Sequence, residues 1–277
     1  MKKNILIIAI AVMLLASFCF AEVSYDKSFV KPDLSLVKNI YKAQLRNLNF
    51  AQADRIVRNI CGITGEPLIL DNAKSNKNLQ YYRTLDNQTS CQIDRVTGDI
   101  LYRNHTKFQG SAPNLPAKDN ALDLAGNYLM TLGLFKKGMA KPHISTLKDA
   151  VRNGQETETF EKMRVVTFTR TLDGIPVLGA SRAAVMLGAN GDLVGLVVRW
   201  MDVQPERITG KVATLAQLKN LIKRKMAARK LNVVVKKANL IMFDNGKGTM
   251  KPMIHLEGDL ITSQGKFFSD WMIPVTK

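Results

Sequence analysis

Three sets of side chains in this sequence have the types and spacing to bind or react, and the most concentrated is a run of cations. Lys219, Lys223, Arg224, Lys225, Arg229 and Lys230 fall between Thr214 and Leu231 without one acidic residue among them. On a helix, like charges three and four positions apart repel by roughly 0.2–0.5 kcal/mol per pair. A helix that keeps six cations with no balancing carboxylate therefore reads either as a solvated face or as a surface for an anionic partner. The second set is histidine and serine. His105, His143 and His255 are far apart and none has a partner at metal-ligand spacing, while Ser181 and Ser263 lack a nucleophile motif around them. The third is aspartate: Asp94, Asp99, Asp173 and Asp192 all stand in turn sequences, where the side chain bonds its own backbone. No catalytic constellation emerges, so an enzyme is not expected, and neither a metal nor any other cofactor is.

The first 21 residues have the pattern of a secretory leader. Lys2 and Lys3 make a positive start, Ile5 to Phe20 is an unbroken apolar run of sixteen residues, and small residues precede the expected cleavage near Ala21. Sixteen residues fall short of the roughly 20 that a spanning helix needs. The expectation is an exported chain, secreted or periplasmic. The full sequence of 277 residues carries a formal charge of +17. Removing Lys2 and Lys3 from its 40 basic residues leaves 38 against 23 acidic ones, or +15. Such a field favours acidic proteins, phospholipid headgroups or an anionic envelope polymer. Export makes nucleic acid an unexpected partner.

Cleavage would also remove Cys19 and leave Cys61 and Cys91 in an oxidising compartment, which predicts one disulfide between them. Closing a loop of about 30 residues would stabilise the fold by about 3 kcal/mol in the chain-entropy picture.

The elements that must carry these groups follow from the apolar periodicity. A helix is predicted from Pro32, capped by Asp33, with Val37, Tyr41, Leu45 and Leu48 at helical spacing; a second has Ala53, Ile56, Val57 and Ile60 on one face and stops at Gly62 or Gly65. Strands are expected at 79–85 and 90–102, the latter broken by the turn Asp94 to Asp99. The run from Gln109 to Pro116 has the composition of a linker. After it come a helix at 117–132 with Gly133 as its stop, and a polar stretch at 136–161 without a clear pattern. The region from Arg164 to Trp200 then reads as a β-meander, three apolar runs divided by Asp173-Gly174 and by Asn190-Gly191-Asp192. Thr214 to Gln217 is a capping box opening the basic helix, and strands are predicted at 238–243, 251–257 and 267–275. One helix on a short antiparallel sheet, occurring three times, gives an α+β class with helices packed on one sheet face. The expected domains are the leader 1–21, an N-terminal helical segment and unit at 22–110, a central unit at 117–203 and a C-terminal unit at 210–277.

Asp173-Gly174-Ile175-Pro176-Val177-Leu178-Gly179, followed ten residues on by Asn190-Gly191-Asp192-Leu193-Val194, resembles the propeptide domain of fungalysin- and thermolysin-type metalloproteases. In that family a glutamine commonly stands a few residues before the glycine, where this chain has Arg170. The flanking units resemble PepSY domains. Gln92-Ile93-Asp94 with Thr97-Gly98-Asp99-Ile100 is similar to the hairpin that ends such a domain, and the helix from Thr214 with the closing Trp271 to Val275 fits the same plan. No His-Glu-x-x-His occurs in the chain. The resemblance implies a non-catalytic binding module built like a propeptide, inhibiting or assisting the folding of a separate secreted metalloprotease. The alternative is an envelope-associated protein that binds anionic lipid or polymer through its basic surface, as an accessory to a sensor.

Overall fold

The computed structural model describes residues 22–107, 111–136, 138–153 and 156–276. The predicted leader lies outside these residues. The chain divides into two compact units, one holding the described parts of Met1–Lys38, Ile208–Ile241 and Pro252–Lys277, the other Asn39–Arg207 and Met242–Lys251.

The first unit is a short mixed sheet with one helix. Its strands are β1 (Val23–Val30), most of β13 (Asn232–Asp244), most of β14 (Thr249–Thr262) and β15 (Gly265–Pro274). β1 runs parallel to β13, with Val23 opposite Val233, and β14 and β15 form a long antiparallel hairpin from Met253 opposite Pro274 to Thr262 opposite Gly265. The helix, α3 (Leu215–Ala228), opens with the predicted reciprocal cap between Thr214 and Gln217. It buries Leu218, Ile222 and Met226, while Val235, Ile254, Leu256 and Ile273 are buried on the strands.

The second unit is built on an antiparallel sheet of eight strands. In chain order these are β3 (Ile69–Leu70), β4 (Leu79–Arg83), β5 (Thr89–Asp94), β6 (Ile100–Asn104), β7 (Met139–Asn153), β8 (Glu156–Leu172), β10 (Arg182–Leu187) and β11 (Leu193–Arg199). In space the order is β7-β8-β10-β11-β6-β5-β4-β3. Two helices cover it, α1 (Phe50–Thr64) and α2 (Lys118–Thr131). A capping box of Asn49 and Gln52 starts α1, and Gly65 ends it in the left-handed conformation (φ 70°) that a residue without Cβ adopts at no steric cost. A single core holds Ala53, Val57 and Ile60 of α1, Ala121, Ala125 and Leu129 of α2, and Ile93, Tyr102, Val185 and Leu196 of the strands. The remaining pieces are β2 (Asn39–Gln44) antiparallel to β12 (Asp202–Arg207), and β9 (Ile175–Gly179), which lies parallel to the end of β13.

Three repeated helix-plus-sheet units are therefore not what the chain forms. The molecule is mostly sheet, 50% strand against 20% helix, with fifteen strands and three α-helices among the described residues. The reason lies in one pairing. β6 sits antiparallel to β11, Ile100 opposite Val198 and Tyr102 opposite Leu196, so the hairpin before the linker and the meander after it are one sheet over one core. Local sequence carries no signal for a pairing nearly 100 residues distant.

Two local expectations also change. The predicted helix from Pro32 is a single 3₁₀ turn, Leu34–Leu36, capped by Asp33, and then strand β2. Val37, Tyr41 and Leu45 are four apart, and a spacing of four is compatible with both the helical period and the strand period of two. The patternless stretch before the meander is β7 and the first half of β8, a long hairpin whose β7 residues from Leu147 to Arg152 are exposed. Charges and threonines alternate there with few apolar residues, so neither period shows.

Leu196 is fully buried at the β6–β11 join. Leu196→Ala should cost about 2–5 kcal/mol. Hydrogen exchange should accelerate together in β5 and β10, on either side of the join; acceleration confined to the meander would mean that two separate sheets are present.

Candidate functional site

The turn that carries the family resemblance is structurally bound. Asp173 and Gly174 both have positive φ (49° and 78°), the geometry of a tight hairpin turn, and Ile175 and Val177 are buried while Pro176 is exposed. The Asp173 carboxylate accepts a hydrogen bond from Asn39 Nδ2 at 2.8 Å and one from the Tyr41 hydroxyl. The second turn is equally occupied. Asn190 N–H donates to the Asn114 carbonyl at 3.2 Å, and the Tyr128 hydroxyl of α2 donates to the Gly191 carbonyl at 3.1 Å. A Cβ on Gly191 would stand 2.7 Å from Leu124. Both turns thus anchor other elements, which accounts for their residues without a ligand.

Cys61 and Cys91 carry free thiols, which corrects the predicted disulfide. Cys91 lies in β5 with no exposure, and Cys61 on α1 packs against the same core. Burial, aided by the neighbouring Cys61, pushes the Cys91 thiol far above its usual range, so it behaves as a small apolar core residue.

Lys219, Lys223, Arg224 and Lys225 lie on α3, and Arg229 and Lys230 directly follow its last residue. Lys223, Arg224, Arg229 and Lys230 are exposed and Lys225 half-buried. None of the six makes an ion pair with a carboxylate among the described residues. Lys219 turns inward, its ammonium 4.8 Å from the centre of the Tyr25 ring. Beside this helix is an open cavity of about 490 Å³, which the sequence did not reveal. Its walls are Leu221, Pro274 and Val275; its polar groups are Gln217, Asn220, Lys223 and Arg224. Gln217, Leu221 and Arg224 succeed one another at four- and three-residue steps, so they lie on one helical face. The cavity exists because the chain end returns alongside α3: Ala213 N–H donates to the Val275 carbonyl, and Val212 bridges Thr276.

Sequence reasoning also missed a buried polar knot in the second unit. Arg170 is 7% exposed; its Nη1 donates to the Met201 carbonyl at 2.6 Å, and its guanidinium lies 5.3 Å from the Trp200 ring centre. Burial lowers its pKa, opposed by Asp202 and Asp244. Asp244, 2% exposed, accepts from the Ser181 hydroxyl at 2.6 Å and from Gly246 N–H at 2.8 Å. These bonds satisfy charges that would otherwise be costly to bury. Among the described residues no group of three or more His, Cys, Asp or Glu is placed to hold a metal ion, and no helix is long and apolar enough to cross a membrane. His255 Nε2 lies 2.9 Å from Asp270 on the β14–β15 hairpin; His105 and His143 are exposed.

No protein-family model and no curated protein matches the sequence. In fold, the chain is similar to the crystal structure of an uncharacterized protein from Eubacterium rectale, at a TM-score of 0.53 and 11% identity over 91% of this chain and 86% of that one. The likeness to the C-terminal domain of Bacillus megaterium YpeB is weak, with a TM-score of 0.41 and 14% identity over 82% of this chain and 99% of that domain. The first match supports the architecture alone.

The bond from Tyr41 to Asp173 has a measurable consequence. Burial first, and then the Asp173 carboxylate, push the Tyr41 hydroxyl up to about 12. The unfolded chain ionises near the ordinary value of about 10. The contribution is therefore complete below about pH 10 and lost as pH rises toward 12. Stability measured by denaturant across that interval should fall less steeply in Tyr41→Phe than in the parent.

Proposed function

We propose that this chain is a non-catalytic binding module whose α3 face takes an anionic partner, with the headgroups of an acidic phospholipid surface or an anionic envelope polymer as the matching chemistry. The observation that carries the reading is the set of cations on α3 and directly after it that have no ion-pair partner among the described residues. A solvated face in a folded protein commonly intersperses both signs. Here, like charges are retained at helical spacing against their mutual repulsion, with no carboxylate placed to relieve it. Each lysine or arginine held near an anionic bilayer is worth about 1 kcal/mol, so four exposed cations give a useful though salt-sensitive attraction. The adjoining cavity adds amide groups for hydrogen bonding. An exported chain, as the N-terminal sequence suggests, would meet such surfaces.

The second reading is that of an inhibitor or folding helper for a separate secreted metalloprotease. The resemblance of the Asp173–Val177 turn prompts it, and β7 favours it, since among the described residues β7 pairs with β8 alone and leaves a long edge for strand addition. Slowed hydrolysis by thermolysin-type enzymes in the presence of the protein, lost on placing Pro at Val151 in β7, is the outcome this reading requires.

For the leading reading, sedimentation with vesicles containing acidic phospholipid should show binding at about 0.1 M salt that collapses at about 1 M, where the screening length drops from about 10 Å to about 3 Å. The double variant Lys223→Glu with Arg224→Glu should lose it while remaining folded. Binding that survives both treatments would show that charge on α3 is not its cause.

A further inference from the structure

The second unit holds a cavity of the opposite character. It has a volume of about 480 Å³ and opens between the end of α1 and the β4–β5 turn. Its apolar wall includes Pro67, Ile69 and Leu85, and the last two are 45% and 84% exposed, a large apolar surface to leave in water. Its charged groups are Glu66 and Asp86 alone; no lysine, arginine or histidine lines it among the described residues.

Glu66 is a built part of this cavity. It directly follows Gly65, the left-handed end of α1, and precedes Pro67, so the backbone on both sides is constrained. Its Oε2 accepts from the Thr89 hydroxyl at 2.6 Å and its Oε1 from Asn104 Nδ2 at 2.5 Å. Thr89 and Asn104 are 2% and 1% exposed, so the two donors are fixed by the core. Each carboxylate oxygen has about two acceptor positions and uses one here, which leaves capacity on both. Glu66 has no ion-pair partner among the described residues. The last carbonyls of the fifteen-residue α1 add the partial negative charge of a helix C-terminus.

We infer that this cavity is a recognition site for a lysine or arginine side chain of a partner peptide, its cationic head on Glu66 and its aliphatic stem and apolar neighbour against Ile69 and Leu85. A carboxylate pre-positioned by buried donors gives a charge-assisted bond without reorganisation. Long basic side chains combine an apolar stem with a charged tip, which matches apolar walls over an acidic floor. A bare metal ion fits less well, because one carboxylate with half its acceptor sites filled is a poor ligand set for it. The site shares no residue with α3, so its fate is independent of the function proposed above.

The test is an NMR titration of the full chain with two capped tripeptides, acetyl-Leu-Lys-Leu-amide and the same peptide with norleucine in place of lysine. The lysine peptide should move the amide signals of Gly65, Glu66, Thr89 and Thr106, and the norleucine peptide should bind about tenfold or more weakly, the effect of one charge-assisted bond. Glu66→Gln should erase the difference between the peptides. Leu85→Ser, in an exposed turn where folding is not at stake, should weaken both. Equal affinity for the two peptides, discrimination that survives Glu66→Gln, or signal changes elsewhere in the chain would each overturn the assignment, as would the absence of binding by the lysine peptide to a folded parent.

Discussion

The antiparallel pairing of β6 with β11 is the contact on which the second unit depends. It brings Ile100 and Tyr102, from before the linker, opposite Val198 and Leu196, from the end of the meander. Without it, α1 on the four strands β3 to β6 and α2 on the other four would each be a small sheet with a thin core. With it, the two helices cover one eight-stranded sheet and share a core. The gain is physical: a larger folded body buries a larger fraction of its apolar surface. The entropy of closing the long intervening loop is offset once, by the whole ladder. It also removes the need for a covalent tie. Cys61 and Cys91 remain thiols within a core that already fixes α1 on β5.

The same economy explains the turn residues. Asp173 receives Asn39 and Tyr41, and Gly191 receives Tyr128, so each turn serves as a hydrogen-bonding platform for a distant element. Arg170 is buried against Trp200 and bound to the Met201 carbonyl. It places a charge inside the unit, and Asp202 and Asp244 compensate it. Residues that look like signatures in one dimension are here the joints of the framework.

What the sequence made legible was local. The cap of α3, the stop of α1 at Gly65, one of its two candidate glycines, the extent of α2 and the turns at Asp173 and Asn190 all follow from residues that act on the backbone within a few positions, whereas the Asn49 cap of α1 was not read. Partnership was not legible. The even spacing of Val37, Tyr41 and Leu45 fits helix or strand until β12 is known to lie beside Asn39–Gln44. The strand at Ile175–Gly179 pairs with β8 only through Ile175 and Pro176 and then with β13 from Val177 on, a choice made by residues near 242. Of the binding features, the α3 cations could be read because charge along one helix is a one-dimensional pattern. The cavity beside them could not, since Pro274 and Val275 reach it from the other end of the chain. Glu66 stayed hidden for the same reason: only folding supplies Thr89 and Asn104.

Two surfaces of opposite charge, each in its own unit, are the binding features of the described residues. The basic one includes four exposed cations, Lys223, Arg224, Arg229 and Lys230. Hydrogen exchange of the full chain with and without vesicles of acidic phospholipid locates that contact directly. Protection confined to α3, Leu215–Ala228, and to the adjoining residues Pro274 to Thr276 is the predicted footprint. Protection that instead falls along β7 or on the eight-stranded sheet, with α3 unchanged, would contradict it.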